Sequence, residues 1–368
     1  MAEIDRLLKG LIQYKGSDLH LASAQSVRIR MRGELRQLSA ALTPAQMVGS
    51  LLREIVNPAQ AQIYTDTHEL DFTYAPQGLD ARFRVNLFMT RTGPGAVFRV
   101  IPSKIPTAQE LGLPDSILNF CKLDRGLVLV TGATGSGKST TLASMVDWIN
   151  ENESSHILTL EDPIEFVHQS KRSLVNQREV GAHTNSFSNA LRAALREDPD
   201  VILVGEMRDL ETIELALTAA ETGHLVFGTL HTASAPKTVD RIINVFPGNR
   251  QDQIRTMLSE SLKGVVSQQL LKTKAGGRVA AHEILVGTHA IGNLIREAKT
   301  FQIPSQIQVG RMDGMQSMDQ ALEALKKQGI IDDETAAAHS STPPKAKPGN
   351  GMSTAAPAPA PPMLVAVG

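Results

Sequence analysis

Cysteine is almost absent from this sequence, since Cys121 is the only one among 368 residues. A single cysteine cannot form an intrachain disulfide bond, and it cannot supply the four thiolates of a tetracysteine zinc module. The cysteine count therefore excludes a disulfide-stabilised scaffold and fits a protein of the reducing cytoplasm.

An excess of charge of either sign is also missing. The chain has 37 Lys and Arg against 38 Asp and Glu, which gives a formal net charge of -1. No long basic run provides the broad positive field that nucleic-acid-binding proteins use, although a neutral total is compatible with a locally basic channel in an assembly. We therefore expect no nucleic acid partner.

Long apolar runs and a targeting signal are lacking as well. No run approaches the roughly 18 to 20 apolar residues that a membrane-spanning helix needs. The first five residues include two acids, Glu3 and Asp5, where a secretory signal would carry basic residues. We therefore expect no direct membrane insertion, so that any peripheral location at the inner face of the cytoplasmic membrane must come through a partner protein.

The length and the 42% hydrophobic content suffice for two domains, each with its own core. Apolar residues alternate with arginines over residues 27–32, which predicts a strand in a small α+β domain covering residues 1–100. Several prolines in the segment 101–115 predict a linker. A second domain, which contains the candidate site residues, is predicted at 116–334. The Pro- and Ala-rich tail at 335–368 is expected to be disordered because it cannot bury a core.

Short, continuously apolar runs begin at residue 127 and alternate with helical or turn-rich segments. Such runs are typical of strands buried on both faces of a parallel sheet, so this part is predicted to be an α/β domain. One intervening helix is indicated at 187–195, and the chain is predicted to be mainly helical after Val266, especially at 290–299 and 317–328. The four runs lie at 127–130, 157–160, 201–204 and 225–227.

A phosphate-binding pattern, G-x-x-x-x-G-K-[ST], directly follows the first of these runs and precedes a helix-compatible segment. Glycines allow backbone N–H groups to converge on phosphates at a helix N-terminus, Lys138 neutralises β/γ-phosphate charge, and the Ser139 hydroxyl is expected to ligate Mg²⁺. The sequence thus predicts an ATP site formed by Gly132, Ala133, Thr134, Gly135, Ser136, Gly137, Lys138, Ser139 and Thr140.

Acidic residues follow two further predicted strands. Glu161 and Asp162 come after the run at 157–160, and Glu206 comes after the run at 201–204. Carboxylates at the C-terminal ends of neighbouring parallel strands point into the crevice that holds the phosphates. We expect Glu206 to hold Mg²⁺ through water and Glu161 to act as general base, with the reverse assignment open and a helix cap or solvated loop acid as the alternative.

Two histidines, His224 and His231, flank the predicted strand at 225–227. A histidine at a strand end can contact the γ-phosphate or link it to an interface. A packed or surface histidine is an equally good interpretation, and no cluster with zinc-ligand spacing accompanies either one.

Arginines are frequent in the strand-like segment 81–100. Oligomeric P-loop motors often complete the active site with an arginine from a neighbouring subunit, because guanidinium matches phosphate geometry. For each single arginine, a solvated strand face is the competing interpretation. The candidates are Arg82, Arg84, Arg91 and Arg99.

Four segments together resemble the Walker A, Asp box, Walker B and His box of secretion ATPases. Within that superfamily the sequence is most similar to the PilT retraction ATPases of type IV pili, over roughly residues 3 to 330. The segments are 131–141 (TGATGSGKSTT), 157–166 (ILTLEDPIEF), 193–208 (AALREDPDVILVGEMR) and 222–233 (TGHLVFGTLHTA).

The resemblance implies a PAS-like N-terminal domain and a RecA-like ATPase domain that assemble into a homohexamer beneath an inner-membrane pilus platform protein. It implies ATP hydrolysis coupled to pilin depolymerisation, pilus retraction and twitching motility, with a retraction ATPase paralogue as a further partner. ATP would lie between the two domains, approached by Arg84 and Arg99.

The family carries a late AIRNLIRE motif, which here reads AIGNLIRE at 290–297 with Gly292 in place of the arginine. Alternatives within the class are an accessory retraction paralogue and a pilus-extension or type II secretion ATPase, whose usual tetracysteine zinc module one cysteine cannot build. From other classes, a RecA-like nucleic-acid translocase is disfavoured by the missing basic stripe. A non-hydrolysing scaffold is disfavoured by the presence of Lys138, Ser139, Glu161 and Glu206.

Overall fold

The N-terminal part of the chain forms a six-stranded antiparallel sheet in the order β3-β2-β1-β6-β5-β4. The computed structural model describes residues 2–31, 33–101 and 104–340. We call this sheet the N-terminal sheet. Its elements are α1 (Ile4–Gln13), β1 (Asp18–Ala22), β2 (Ser26–Met31), β3 (Glu34–Leu42), α2 (Ala45–Arg53), α3 (Pro58–Thr67), β4 (Glu69–Tyr74), β5 (Arg82–Thr90) and β6 (Gly93–Ile101).

One face of the N-terminal sheet is apolar and is covered by helices α1 and α2. Alternate residues of β5 turn Phe83, Val85 and Leu87 into this core, where each is at most 1% exposed. The strand predicted at 27–32 is β2, which alternates as expected, although Arg32 lies outside the described residues. The strand-like segment at 81–100 is a hairpin of two strands, β5 and β6.

The C-terminal part forms a seven-stranded sheet in the order β13-β12-β7-β11-β10-β8-β9, which we call the C-terminal sheet. Within the described residues, no helix has the length and apolar character needed to cross a membrane. The elements are α4 (Ala108–Leu111), α5 (Asp115–Phe120), β7 (Gly126–Thr131), α6 (Lys138–Asn152), β8 (His156–Glu161), β9 (Leu174–Glu179), α7 (Phe187–Ala194), β10 (Val201–Val204), α8 (Leu210–Glu221), β11 (Leu225–Leu230), α9 (Ala235–Asn244), α10 (Gln251–Ser261), β12 (Leu262–Thr273), β13 (Gly277–Val286), α11 (His289–Arg296), α12 (Ile303–Val309), α13 (Met318–Lys327) and α14 (Asp333–His339), with short 3₁₀ turns at Gly248–Arg250, Thr300–Gln302 and Gly310–Asp313.

The four apolar runs of the sequence are the central strands β7, β8, β10 and β11, and all pair in parallel. Hydrophobic clusters cover both faces of these strands, one cluster including residues of α7 to α10 and the other residues of α5 and α6. Burial on both faces explains why the runs are continuous rather than alternating. The prediction of a parallel-sheet α/β architecture is confirmed.

The chain after Val266 is less helical than predicted. Strands β12 and β13 form a long antiparallel hairpin from Leu262 to Val286, and β12 also pairs in parallel with β7. The turn between them ends at Gly276, whose φ of +79° lies in the left-handed region that glycine readily adopts. The predicted helices at 290–299 and 317–328 are α11 and α13.

Two predicted boundaries differ from the structure. In the expected linker at 101–115, helix α4 packs on α6 and Leu113 enters the core of the C-terminal sheet. The tail predicted from residue 335 onward begins inside helix α14, because Asp332 caps that helix at the Thr335 N–H and favours its first turn. The remainder of the predicted tail, 341–368, lies outside the described residues.

The only cysteine lies inside the C-terminal part. Cys121 immediately follows α5, is 2% exposed and packs in the same cluster as Ile117 and Phe120. Burial raises the pKa of the Cys121 thiol to about 12. The side chain is therefore a neutral, apolar contributor to the core.

Candidate nucleotide site

The candidate site lies at the C-terminal edge of the central parallel strands. β7 ends at Thr131 and leads into the glycine-rich loop 132–137, while β8 ends at Glu161. Glu206 is the second residue after β10, and His231 follows β11 directly. Because these strands run in parallel and in register, the four segments meet at one edge of the sheet.

The loop 132–137 is shaped by glycines in left-handed conformations. Gly132 has a φ of +142° and Gly137 a φ of +91°, and α6 begins immediately afterwards at Lys138. Ser136 Oγ is buried and has no hydrogen-bond partner in the described structure. A helix N-terminus with an unpartnered buried hydroxyl fits a phosphate group as ligand.

The remaining residues of the phosphate-binding pattern are more exposed than Ser136 and Lys138. Ala133, Thr134 and Gly135 are exposed at the tip, and Ser139 and Thr140 are half-buried in the first turn of α6. The predicted phosphate-binding residues therefore form one continuous strand–loop–helix unit, as the pattern requires.

Lys138 is buried against its own loop. Its Nζ donates to the carbonyl oxygens of Gly132 at 3.0 Å and Ala133 at 3.1 Å. Burial lowers the pKa of Lys138, and the nearby carboxylates of Glu206 and Glu165 partly counter this. The ammonium group is thus held at the loop, where it can exchange carbonyl oxygens for phosphate oxygens.

His231 links Lys138 to Glu206. The Nε2 atom of His231 lies 2.9 Å from Glu206 Oε1, and its Nδ1 atom lies 3.5 Å from Lys138 Nζ. Lysine can only donate, so Nδ1 accepts and Nε2 carries the proton that is donated to Glu206. The three side chains therefore form one connected network beside the loop.

Glu206 also contacts Arg208, whose Nε lies 2.6 Å from the same Oε1 atom. Burial raises the pKa of Glu206, but Arg208 and His231 outweigh it, so that the net shift is downward. This carboxyl group is therefore kept ionised.

Glu161 has the opposite electrostatic environment. Its Oε1 accepts hydrogen bonds from Thr159 Oγ1 at 2.7 Å and Gln177 Nε2 at 3.0 Å. Burial nevertheless raises the pKa of Glu161 because it outweighs these hydrogen bonds. A carboxylate of raised pKa at the edge of a phosphate site suits the role of a proton acceptor.

The structure does not place His224 at this site. His224 precedes β11, and its Nδ1 lies 2.9 Å from Ala219 O at the opposite edge of the sheet. The six residues of the strand separate it from His231 by roughly 20 Å. The two histidines flank the same strand, but only the one at its C-terminal end reaches the loop.

Arg84 and Arg99 are direct neighbours across strands β5 and β6 of the N-terminal sheet. Arg84 Nη2 lies 2.5 Å from Asp71 Oδ2, and Arg99 Nε lies 2.8 Å from Asp18 Oδ1. The hydrogen bond to Asp71 raises the pKa of Arg84, with further support from the negative charges of the loop that follows β8. Both arginines therefore have carboxylate partners within their own sheet, and each would have to exchange one to bind phosphate.

A contact between Thr73 and Glu179 connects the two sheets close to Glu161. Thr73 Oγ1 on β4 donates to Glu179 Oε1 on β9 at 3.1 Å. The other carboxylate oxygen of Glu179 accepts from the Ile164 N–H at 3.1 Å, in the loop that follows Glu161. The buried carboxylate of Glu179 thereby connects the N-terminal sheet to that loop.

Gly292, the departure from the AIRNLIRE pattern, lies in helix α11. A Cβ atom at this position would stand 3.0 Å from the carbonyl oxygen of Ser259 on α10. Arg296 of the same motif donates to Ser259 Oγ at 3.1 Å. Glycine therefore permits a close approach of α10 and α11, because the Cβ atom of any other residue, arginine included, would require a shift of Ser259 O by a few tenths of an ångström.

Several residues of the site were not predicted from the sequence. Single polar residues outside the phosphate-binding pattern carry no signal of their own, and Gln177 and Gln268 are also distant in the chain from their partners Glu161 and Ser136. Across residues 2–31, 33–101 and 104–340, no three or more His, Cys, Asp or Glu side chains cluster to hold a metal ion. The unpredicted residues are Thr159, Gln177, Arg208 and Gln268.

The family model described as type II/IV secretion system protein matches residues 1–331. The chain is 58% identical over 309 residues to a twitching motility protein of Neisseria gonorrhoeae, covering 84% of this chain and 82% of that protein. It is 54% identical over 334 residues to the type IV pilus retraction ATPase PilT of Pseudomonas aeruginosa, covering 91% and 97%.

Two further comparisons concern a paralogue and a solved structure. The chain is 40% identical over 339 residues to the type IV pilus ATPase PilU of Pseudomonas aeruginosa, covering 92% of this chain and 88% of that protein. The crystal structure of the pilus retraction motor PilT with bound ADP matches with a TM-score of 0.87 and 48% identity, covering 93% and 98%.

Proposed function

The chain belongs to the family of type II/IV secretion system proteins, and from that premise we propose that it is an ATP-hydrolysing motor that drives type IV pilus retraction and twitching motility. The supporting observation is a phosphate loop joined through His231 to Glu206, with the second strand-end carboxylate, Glu161, at the same sheet edge, in a chain 54% identical to PilT over 97% of PilT's length. Identity to the paralogue PilU is lower, at 40%.

The chemistry assigned to the site is hydrolysis of the bond between the β- and γ-phosphates of ATP. The loop N–H groups bind the phosphates, and Lys138 stabilises the negative charge that moves onto the leaving ADP. Glu161 accepts the proton of the attacking water, so that ADP and inorganic phosphate are the products. Ser139 through its hydroxyl and Glu206 through water would hold Mg²⁺, which adds positive charge beside the phosphates.

The proposal extends to architecture and assembly. The N-terminal part, residues 1–100, is assigned as a PAS-like domain, and residues 116–334, together with the packed helices α4 and α14, as a RecA-like ATPase domain. Six copies form a ring that binds an inner-membrane pilus platform protein from the cytoplasmic side, with a PilU-type paralogue as a further partner. This arrangement brings the arginines of the N-terminal sheet to a nucleotide held between domains.

Deletion of the gene in its own organism tests the direction of the motor. Loss of retraction gives surface pili in excess and no twitching, and a plasmid copy of the wild type restores motility whereas a Lys138→Ala copy does not. Bald cells would show an extension motor instead, and near-normal twitching would show an accessory role.

A biochemical test is independent of the phenotype. Purified Lys138→Ala protein is expected to lose ATP hydrolysis, because transition-state charge at the β/γ-phosphates is left without the loop's cation. Wild-type turnover by this variant would refute the nucleotide site itself.

A further inference from the structure

Gln268 is a buried amide directly beneath the phosphate loop. It lies on β12, which pairs in parallel with β7, the strand that leads into the loop. Its exposed fraction is only 3%, although glutamine is a residue that usually remains at the surface. A buried amide needs partners for both of its polar atoms, and their identity indicates what the side chain does.

Both polar atoms of this amide contact the phosphate-binding unit. Nε2 donates to the carbonyl oxygen of Ser136 at 2.7 Å. Oε1 accepts from Thr141 Oγ1, in the first turn of α6, at 2.8 Å. Gln268 thus spans the junction at which the loop becomes the helix.

The bond to Ser136 O fixes the orientation of a peptide plane. In a planar trans peptide, the C=O and N–H of one unit point in opposite directions. Because Nε2 of Gln268 holds the Ser136 carbonyl beneath the loop, the N–H of Gly137 is turned to the other side. Backbone N–H groups of such a loop, at the N-terminus of a helix, are the groups that bind phosphate.

Gln268 also explains why two positions of the loop are occupied by glycine. A Cβ atom on Gly132 would lie 2.4 Å from the backbone oxygen of Gln268, and one on Gly137 would lie 2.8 Å from its Nε2. Glycine at these positions allows β12 to approach the loop closely enough for the hydrogen bonds to form.

We propose that Gln268 is a positioning residue that holds the phosphate loop in its nucleotide-binding conformation by bonding Ser136 O and Thr141 Oγ1. Gln268 does not contact the substrate. It fixes the orientation of the Gly137 N–H and the position of the first turn of α6 before nucleotide binds. The inference rests on the nucleotide site of the proposed function. A preset loop binds nucleotide more tightly because less ordering free energy is lost on binding.

The experiment compares purified full-length Gln268→Met with Gln269→Met. Methionine keeps the length of glutamine and removes both polar atoms, and Gln269, the adjacent residue on β12, instead contacts His339 through Oε1. For Gln268→Met we expect at least ~10-fold weaker ADP binding, about 1.4 kcal/mol, together with a lower kcat. For Gln269→Met we expect wild-type values of both.

Two further variants separate positioning from stability. Gln268→Glu keeps an acceptor for Thr141 but, when ionised, loses the donor to Ser136 O, so it should weaken ADP binding as Gln268→Met does. Thr141→Val removes only the hydroxyl that orients the amide and should weaken it less, by about 3-fold. A purely structural role would lower the nucleotide-free Tm and leave ADP affinity and kcat unchanged.

The outcomes are distinguishable from failure of the proposed function. Normal ADP affinity and kcat in folded Gln268→Met overturn the inference; if that variant does not fold, normal values in both Gln268→Glu and Thr141→Val overturn it. The wild type and Lys138→Ala are measured in parallel. If Lys138→Ala is defective and the Gln268 variants are normal, only the positioning role fails; if the wild type binds no ADP, the nucleotide site fails.

Discussion

At the scale of single residues, the two carboxyl groups of the candidate site, Glu161 and Glu206, differ in their electrostatic surroundings. Glu206 contacts Arg208 and His231, which keep its pKa low despite burial, whereas burial dominates at Glu161 and raises its pKa. Two acids whose pKa values are pushed apart suit two different tasks. A permanent negative charge suits organisation of Mg²⁺ and water, and a raised pKa suits proton acceptance, which favours the sequence-based assignment over its reverse.

We predict that Glu206→Gln and Glu161→Gln each retain ATP binding but lose at least ~10²-fold in kcat, because the amide keeps the shape and loses the charge. Single-turnover hydrolysis and ATP affinity measure the two effects separately. Glu153→Gln, an exposed acid directly after α6, is the control and should leave turnover intact. Wild-type kcat in either site variant would remove that residue from the reaction.

The pH dependence of kcat provides a further prediction about Glu161. Since a proton acceptor must be ionised and burial raises the pKa of Glu161, kcat should begin to fall with decreasing pH at a value above the ordinary glutamate pKa. The residual activity of Glu161→Gln should lack this acidic limb, while that of Glu206→Gln should retain it. An identical limb in both variants would assign it to another group.

Local and distant residues of the site differ in how far the sequence reveals them. The loop 132–139 could be predicted because its glycines, Lys138 and Ser139 are contiguous and their spacing is itself the mechanism. Gln268 could not, since its bond to Ser136 joins residues 132 positions apart. His224 illustrates a limit of motif reasoning. It precedes β11 and therefore lies at the end of the strand opposite to the phosphate loop, although it is only seven residues from His231 in the sequence.

At the scale of secondary structure elements, the central strands were predictable and the outer ones were not. Strands β7, β8, β10 and β11 are buried on both faces, so apolar runs identify them. The outer strand β9 reads Leu-Val-Asn-Gln-Arg-Glu and has no such run. The β12–β13 hairpin combines apolar and polar residues without a continuous apolar run, and this part of the chain was therefore predicted to be mainly helical.

Strand β13 contains a buried histidine that should make stability depend on pH. His282 lies opposite Gln268 on β12, is 3% exposed, and burial lowers its pKa to about 4. Its folded-state pKa is below the unfolded value of about 6.5, so protonation favours unfolding. Stability is complete above about pH 6.5 and declines as the pH falls towards 4, by up to about 3 kcal/mol.

We predict that His282→Gln reduces the loss of Tm between pH 7.5 and pH 5 compared with the wild type. Differential scanning calorimetry of the nucleotide-free protein measures this loss. His289→Gln, which changes an exposed histidine at the start of α11, should leave it unchanged. An unaltered pH dependence in His282→Gln would assign acid sensitivity to other groups.

At the scale of the whole molecule, the N-terminal sheet carries two neighbouring arginines, of which Arg84 interacts electrostatically with acids of the loop that follows β8 in the C-terminal part. Arg84 and Arg99 lie side by side, each paired with a carboxylate of its own sheet, and Thr73 joins Glu179 across the two parts. The sequence indicated that arginines were present here but not their partners, because Asp18 and Asp71 are brought to them only by strand pairing. How the subunits assemble determines whether Arg84 and Arg99 contact the nucleotide of their own subunit or that of a neighbouring subunit.

We predict that arginine function is shared between subunits. Arg84→Gln/Arg99→Gln protein and Glu206→Gln protein, each nearly inactive alone, should recover partial ATPase activity when mixed into common rings, because some interfaces then combine intact arginines with an intact acid. Glutamine is chosen because removing Arg99 altogether would leave Asp18, which is 4% exposed, without this donor. No recovery in rings shown to be mixed would indicate that the arginines act within their own subunit.

The buried position of Cys121 has a practical consequence for observing such a motor at work. A neutral thiol with 2% exposure is protected from maleimide dyes, so the native chain already provides a background suited to site-specific labelling. Cysteines introduced at Ile63 on α3 and at Met312, which is 98% exposed, would then be the reactive pair. Energy transfer between two dyes at these positions would report domain movement during ATP turnover without replacing the native cysteine.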